Sequence, residues 1–397
     1  MPKAYRIALV TSGRADYGLL KPLWLALKAD EHFEPTMIAT GAHLVKEQGD
    51  TLAVLQSEGI EPLRQIDMQF EGDQPAELGA ACGRGLQGFS DLFQREAFDL
   101  LVILGDRFEM LSVAMAAMLN RLPIAHLHGG EATFGLIDDA VRHSLTKMAA
   151  LHFVSHPDYA RRVMQMGEQP ERVFSVGAIG LDNIQQITLL SKKELAERTA
   201  LDWAKPTILL TYHPVTLNDP TSGYQEMTSV LNAVKQSGLQ TLITMPNIDA
   251  GGGQVYQAIL DIQQQAPQQF HLVKSLGQQG YLSAMQHCAL VLGNSSSGII
   301  EAASFKKPVV NIGERQRGRV TAHNVLHVEC EQQAILQAIE TASSASFQQS
   351  LADLRNPYGE GQTAQKIVQH LKSLPLNDQA WLLKKGFYDW PKQEGGL

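Results

Sequence analysis

Charged and imidazole side chains stand directly after short apolar runs at several places in this 397-residue sequence. LGDRFE (104–109) places Asp106, Arg107 and Glu109 at the end of an apolar run, an expensive position for charge unless the groups are paired or used. An Asp–Arg structural pair and an acid–base carboxylate both remain open there. HLHGGE (126–131) ends another run, with His126 and His128 at i, i+2 on one face, two glycines that permit close backbone approach, and Glu131. A metal site would need a third ligand, and Cys82, Cys288 and Cys330 offer neither a CxxC pair nor zinc-ligand spacing. No metal is therefore expected, and the histidines read as acid–base groups. LIDDAVRH (136–143) follows, with Asp138 or Asp139 placed to cap a helix and Arg142 and His143 one turn on.

A second set of residues suits an anion. TSGRADYG (11–18) sets Arg14 and Asp16 where a strand turns into a helix, so that Gly13 and the helix N-terminus could receive a phosphate. The segment matches neither GxGxxG nor a P-loop, and a plain strand-to-helix turn is the competing reading. GNSSSGIIEA (293–302) opens a helix with three consecutive hydroxyls, suiting Ser295, Ser296 and the nearby N–H groups to a diphosphate. Glu301, one turn inside, could accept from ribose hydroxyls. TYHPVT (211–216) delivers His213 to the end of a strand, and MPNIDAGG (245–252) delivers Asn247 and Asp249. Arg315 in IGERQRGR (312–319) could reach the same ligand, although Arg315, Arg317 and Arg319 also read as a solvated basic run.

The elements that must position these residues alternate in type. Apolar β-rich runs at 7–11, 36–39, 100–104, 124–127, 151–155 and 173–176 are separated by segments of helical periodicity such as 19–27 and 110–119. After a Lys/Glu-rich stretch at 191–204 the rhythm restarts, with runs at 208–212, 240–245, 271–273, 290–292 and 309–311. The expected fold is α/β: two Rossmann-like doubly wound domains facing a cleft, with ligands beyond the carboxyl ends of the strands. The expected boundaries are 1–185, 186–365 and a helical tail, 366–397, packing back on the first domain. The length exceeds what one core usually serves.

Composition fits: 44% hydrophobic and 19% charged residues describe an ordinary globular chain. A net charge of −8 argues against a nucleic-acid partner. Without an apolar run approaching 18 residues or a signal-peptide pattern, no membrane association and a cytoplasmic location are expected.

Taken in order, GRADYG, LGDRFE, HGGE, IDDAVRH, TYHPVT, PNIDAGG and GNSSSGIIEA resemble the hydrolysing UDP-N-acetylglucosamine 2-epimerases, a family that feeds sialic-acid and related nonulosonic-acid synthesis. The resemblance spans roughly residues 5–320. It implies the glycosyltransferase-B architecture, an active site in the interdomain cleft, no metal or nicotinamide cofactor, and a homodimer or homotetramer. It places Arg14 near the diphosphate, Asp106 and Asp138 among the catalytic carboxylates, His213 on the phosphates, Ser295 and Ser296 on the diphosphate, and Glu301 on the ribose. One position departs: many relatives carry glutamate where this chain has His128, which makes Glu131 a further acid–base candidate. The reaction implied is loss of UDP to a 2-acetamidoglucal, then addition of water, converting UDP-N-acetylglucosamine to N-acetylmannosamine. UDP-N,N'-diacetylbacillosamine is the alternative substrate. A non-hydrolysing epimerase, a glycosyltransferase and an inactive UDP-sugar-binding regulator are the competing functions.

Overall fold

The structure, a computed structural model, describes residues 4–45, 51–72, 74–214, 222–245 and 252–390. Short runs of branched apolar residues, too brief for helices, form two parallel sheets. The first contains β1 (Tyr5–Thr11), β2 (Phe33–Ala39), β3 (Leu63–Gln65), β4 (Leu100–Leu104), β5 (Ile124–Leu127), β6 (Leu151–Val154) and β7 (Val173–Ser175), in the order β3-β2-β1-β4-β5-β6-β7. The second contains β8 (Thr207–Thr211), β9 (Gln240–Thr244), β10 (Phe270–Val273), β11 (Leu290–Gly293), β12 (Val309–Ile312) and β13 (Val325–Val328), in the order β10-β9-β8-β11-β12-β13. In each sheet the order reverses beside the first strand, which is where a doubly wound sheet opens a crevice for ligands.

Burial on both faces explains why the central strands read as continuous apolar runs. Along β1, Ile7 and Leu9 join one core with Leu20, Leu23 and Leu27, while Ala8 and Val10 join another with Phe89 and Val113. The second sheet divides likewise, Leu210 packing with Val230 and Ile335, and Leu209 with Trp203 and Met285.

The chain divides into two compact units, one of residues 1–131, 138–183 and 361–397, the other of residues 132–137 and 184–360. The tail joins the first unit earlier than residue 366, because the carboxylate of Asp182 accepts from the backbone N–H groups of Thr363 and Ala364, both at 2.8 Å. That carboxylate satisfies two of the orphan donors at the start of the helix Thr363–Ser373. Ala364, Ile367, Val368 and Leu371 then complete the core beneath β1. No helix among the described residues is long and apolar enough to cross a membrane.

Candidate functional site

In the first unit, the segments after β4 and β5 carry the expected acid–base residues, and the loop after β1 carries Arg14. Asp106, just past Gly105 (φ +73°), receives a hydrogen bond from the buried guanidinium of Arg142 on the helix Ile137–Met148. Arg107 turns instead to Glu109, donating to its Oε1 from Nη2 at 2.9 Å. The helix begins at Ile137, so Asp138 and Asp139 lie in its first turn and neither is the cap the sequence suggested. Their charge there still favours the helix dipole. Asp139 lies 3.6 Å from Arg142 and 3.4 Å from His143, while Asp138 is half-buried.

The two histidines do not share a face. β5 stops at Leu127, and His128 adopts a left-handed backbone (φ +63°), which breaks the strand alternation that would have put it on the face of His126. His126 is fully buried, with Nε2 2.8 Å from the Gly105 carbonyl and Nδ1 3.1 Å from the Thr146 hydroxyl. Burial pushes its pKa down to about 3, so it is a neutral structural residue and not the acid–base group expected. His128 faces Glu131, Nδ1 to Oε1 2.7 Å, and the Ser155 hydroxyl donates to the same oxygen at 2.6 Å. Among the described residues no group of three side chains is arranged to hold a metal ion.

Arg14 is exposed at the first position of the helix Arg14–Lys28. The preceding N–H and hydroxyl of Ser12 are taken by Asp16, at 2.9 and 2.6 Å. The protein's own carboxylate thus occupies part of this turn, leaving the Arg14 side chain as the group available to an anion.

In the second unit, β8 and β11 run side by side with Thr211 paired to Gly293, so the residues that follow each strand meet. The His213 N–H donates to Asn294 Oδ1 and the Asn294 amide donates back to the His213 carbonyl, both at 2.7 Å. Arg315 and Gln316 donate to the Asn294 carbonyl at 3.1 and 2.8 Å. Arg315 is thus held at the end of β11, whereas Arg317 forms a surface ion pair with Glu314 and Arg319 donates to the Ala132 carbonyl. The three arginines are not one solvated run. Burial, reinforced by the charge of Arg315, pushes His213 down to about 3, so its imidazole is neutral and offers a hydrogen bond but no positive charge.

The three serines of the following loop differ in their engagements. Ser295 caps the helix Ser296–Ile300 by accepting from the Ser297 N–H, and Ser297 contacts the Tyr281 hydroxyl at 2.6 Å. Ser296 makes no side-chain hydrogen bond among the described residues. Glu301, partly exposed, is pushed up to about 7 by burial. Asn247 and Asp249 lie outside the described residues. Asn294, Gln316, Tyr281 and Ser155 were not singled out from the sequence. Asn294 carried the clearest signal, an amide side chain directly between a strand and a hydroxyl-rich helix start.

The family described as UDP-N-acetylglucosamine 2-epimerase matches residues 25–372. The chain belongs to this family. It is 37% identical to a GDP/UDP-N,N'-diacetylbacillosamine 2-epimerase (hydrolyzing) of Campylobacter jejuni, over 97% of this chain and 99% of that protein. It is 34% identical to a UDP-N,N'-diacetylbacillosamine 2-epimerase (hydrolyzing) of Legionella pneumophila, over 94% of this chain and 97% of that protein. In fold it resembles the UDP-GlcNAc 2-epimerase of Neisseria meningitidis solved bound to UDP-GlcNAc, with TM-score 0.80 and 18% identity, over 93% of this chain and 100% of that one. The two-sheet glycosyltransferase-B type of architecture expected from the motifs is therefore the one observed. The expectation of a hydrolysing 2-epimerase of a UDP-sugar also stands at that level. The sugar is a separate question.

Proposed function

We propose that this epimerase takes UDP-N,N'-diacetylbacillosamine and releases UDP and 2,4-diacetamido-2,4,6-trideoxymannose. The observation that carries this reading is the near full-length identity, 37% and 34%, to two relatives named for nucleotide-linked N,N'-diacetylbacillosamine, GDP or UDP in the first name and UDP in the second. The sequence motifs put UDP-N-acetylglucosamine first, and the family description keeps it as the second reading.

The C2 proton of either sugar is not α to a carbonyl, so departure of UDP with oxocarbenium character leads. UDP leaves with the electron pair of the C1–O bond, a base takes the C2 proton, and a C1=C2 double bond remains. Water then bonds through oxygen to C1 while a proton returns to C2 from the opposite face, so two acid–base groups must serve the two faces.

The first unit supplies the carboxylates Asp106, Glu131 and Asp138. The hydrogen bond from the Arg142 guanidinium orients the Asp106 carboxylate, the group we assign as the base of the elimination step. The groups we assign to the leaving diphosphate are Arg315, His213, the Ser296 hydroxyl and the capped Ser295 turn in the second unit, and Arg14 in the first. Donors of this kind are each worth about 2–4 kcal/mol where charge develops. Glu301 accepts from the ribose hydroxyls.

Side-by-side kinetics of UDP release from the two nucleotide sugars test the choice of substrate. The reading expects kcat/KM for the diacetylated sugar to exceed that for UDP-N-acetylglucosamine about a hundredfold or more, the discrimination open to a site that hydrogen-bonds a substrate group its competitor lacks. Equal or reversed values would return UDP-N-acetylglucosamine to first place.

A further inference from the structure

The His128 position, where the sequence departs from many relatives, has a geometry that separates two roles. The backbone N–H of Ile179 points at His128 Nε2 at 3.3 Å. An amide N–H can only donate, so Nε2 must present its lone pair, and the proton of the neutral ring sits on Nδ1. That proton is directed at Glu131 Oε1, 2.7 Å away. Ser155 donates to the same oxygen at 2.6 Å, so Oε1 is held from two sides.

We propose that His128 is a positioning residue: as the neutral Nδ1–H tautomer fixed by the Ile179 amide, it holds the Glu131 carboxylate together with Ser155. The inference rests on the reading above, in which Glu131 is one of the acid–base groups. His128 itself passes no proton.

The surrounding loop is built to keep this arrangement. A non-glycine residue at φ +63° is strained, and such strain persists only where the neighbouring structure imposes it. The imposing element is the next turn: Gly130 (φ +76°) is pressed so closely on the helix Pro157–Gln165 that a Cβ there would lie 2.5 Å from the Tyr159 carbonyl oxygen. Arg162 of that helix also donates to the Gly130 carbonyl, at 2.5 Å. Glu131 follows directly and is buried. Arg162 and the buried His126 are among the ionisable groups beside this turn.

The test uses the full chain with UDP-N,N'-diacetylbacillosamine and the variants His128→Ala, His128→Asn and Glu131→Gln. His128→Ala should lower kcat about ten- to a hundredfold, with KM changed less than about threefold, the pattern of a displaced catalytic group. It should also move the acid limb of the kcat–pH profile to higher pH, because a carboxylate that has lost a donor protonates more easily. In His128→Asn the amide N–H stands near the place of Nδ1–H and should restore kcat to within about threefold of the parent and return the acid limb. Nitrogen-15 NMR of histidine-labelled parent protein should show, for His128, the proton on Nδ1 and a bare Nε2.

A proton on Nε2, or a His128→Asn variant as inactive as His128→Ala with its acid limb unmoved, would overturn the proposal and make His128 the proton carrier. Glu131→Gln keeping more than about a tenth of kcat would instead remove Glu131 from the chemistry, which is failure of the underlying reading. The NMR result stands even if a variant fails to fold.

Discussion

Arg142 donates to the Asp106 carboxylate across 36 residues of sequence, joining the end of β4 to the helix Ile137–Met148 by a charge-assisted hydrogen bond. The guanidinium side chain is only 2% exposed and the carboxylate side chain 23%, so the carboxylate is the partner that reaches solvent. Asp106→Asn keeps the shape and an acceptor oxygen but removes the charge. We expect kcat to fall at least about a hundredfold while UDP, followed by calorimetry, binds within about threefold of the parent. Retention of more than about a tenth of kcat would take Asp106 out of the reaction.

Glu301 gives a pH signature. Burial raises its carboxyl from 4.5 to about 7. With the folded value above the unfolded one, its contribution to stability is complete below about pH 4.5 and is lost as pH rises through about 7. Glu301→Gln should therefore melt with the parent below pH 4.5 and progressively above it as pH rises, the gap levelling beyond about pH 8. A Tm difference independent of pH would contradict this. If Glu301 holds the ribose, the same variant loses about tenfold in UDP affinity, one charged hydrogen bond's worth.

Glu168 shows the opposite sign. Burial would raise its carboxyl, but hydrogen bonds from His152, Lys147 and Lys385, at 2.9, 2.5 and 2.7 Å, outweigh it and hold the group down at about 2. This contribution is full above pH 4.5 and is lost as pH falls through about 2. Glu168→Gln leaves the cations around a neutral amide, and unfolding at neutral pH should show a loss of about 3–5 kcal/mol that shrinks in acid. A loss below about 1 kcal/mol would mean that these charges are solvated and that the tail is held by its apolar contacts.

At Gly293 (φ +128°) a Cβ would lie 1.9 Å from the Thr211 carbonyl oxygen. The close approach of β8 to β11 that brings His213 to Asn294 requires glycine there. Gly293→Ala should cost on the order of 3 kcal/mol or more and weaken UDP binding along with stability, readable by denaturant unfolding and calorimetry. Unchanged unfolding would show that the strand ends can separate without cost.

How far the sequence revealed this architecture depends on where each feature's information lies. Central strands such as β4 are apolar on both faces, so composition alone exposes them. The edge strands β3 and β13 escaped because Leu63–Gln65 and Val325–Val328 are only partly buried and carry mixed side chains. The continuing alternation through HLHGG disguised the left-handed turn at His128, which only the paired glycines hinted at. The Asp106–Arg142 and His213–Asn294 contacts depend on which strands and helices are spatial neighbours. Local spacing suggested Arg142 as a neighbour of Asp138 or Asp139 on the helix and gave no sign of its bond to Asp106.

The central claim, hydrolysis with inversion at C2, is tested most directly by proton NMR of the protein in deuterated water with UDP-N,N'-diacetylbacillosamine and, in parallel, UDP-N-acetylglucosamine. Our account expects UDP release together with a free manno-configured sugar carrying deuterium at C2, faster from the diacetylated substrate. Free sugar of unchanged configuration without deuterium, or no UDP release from either substrate, would contradict it.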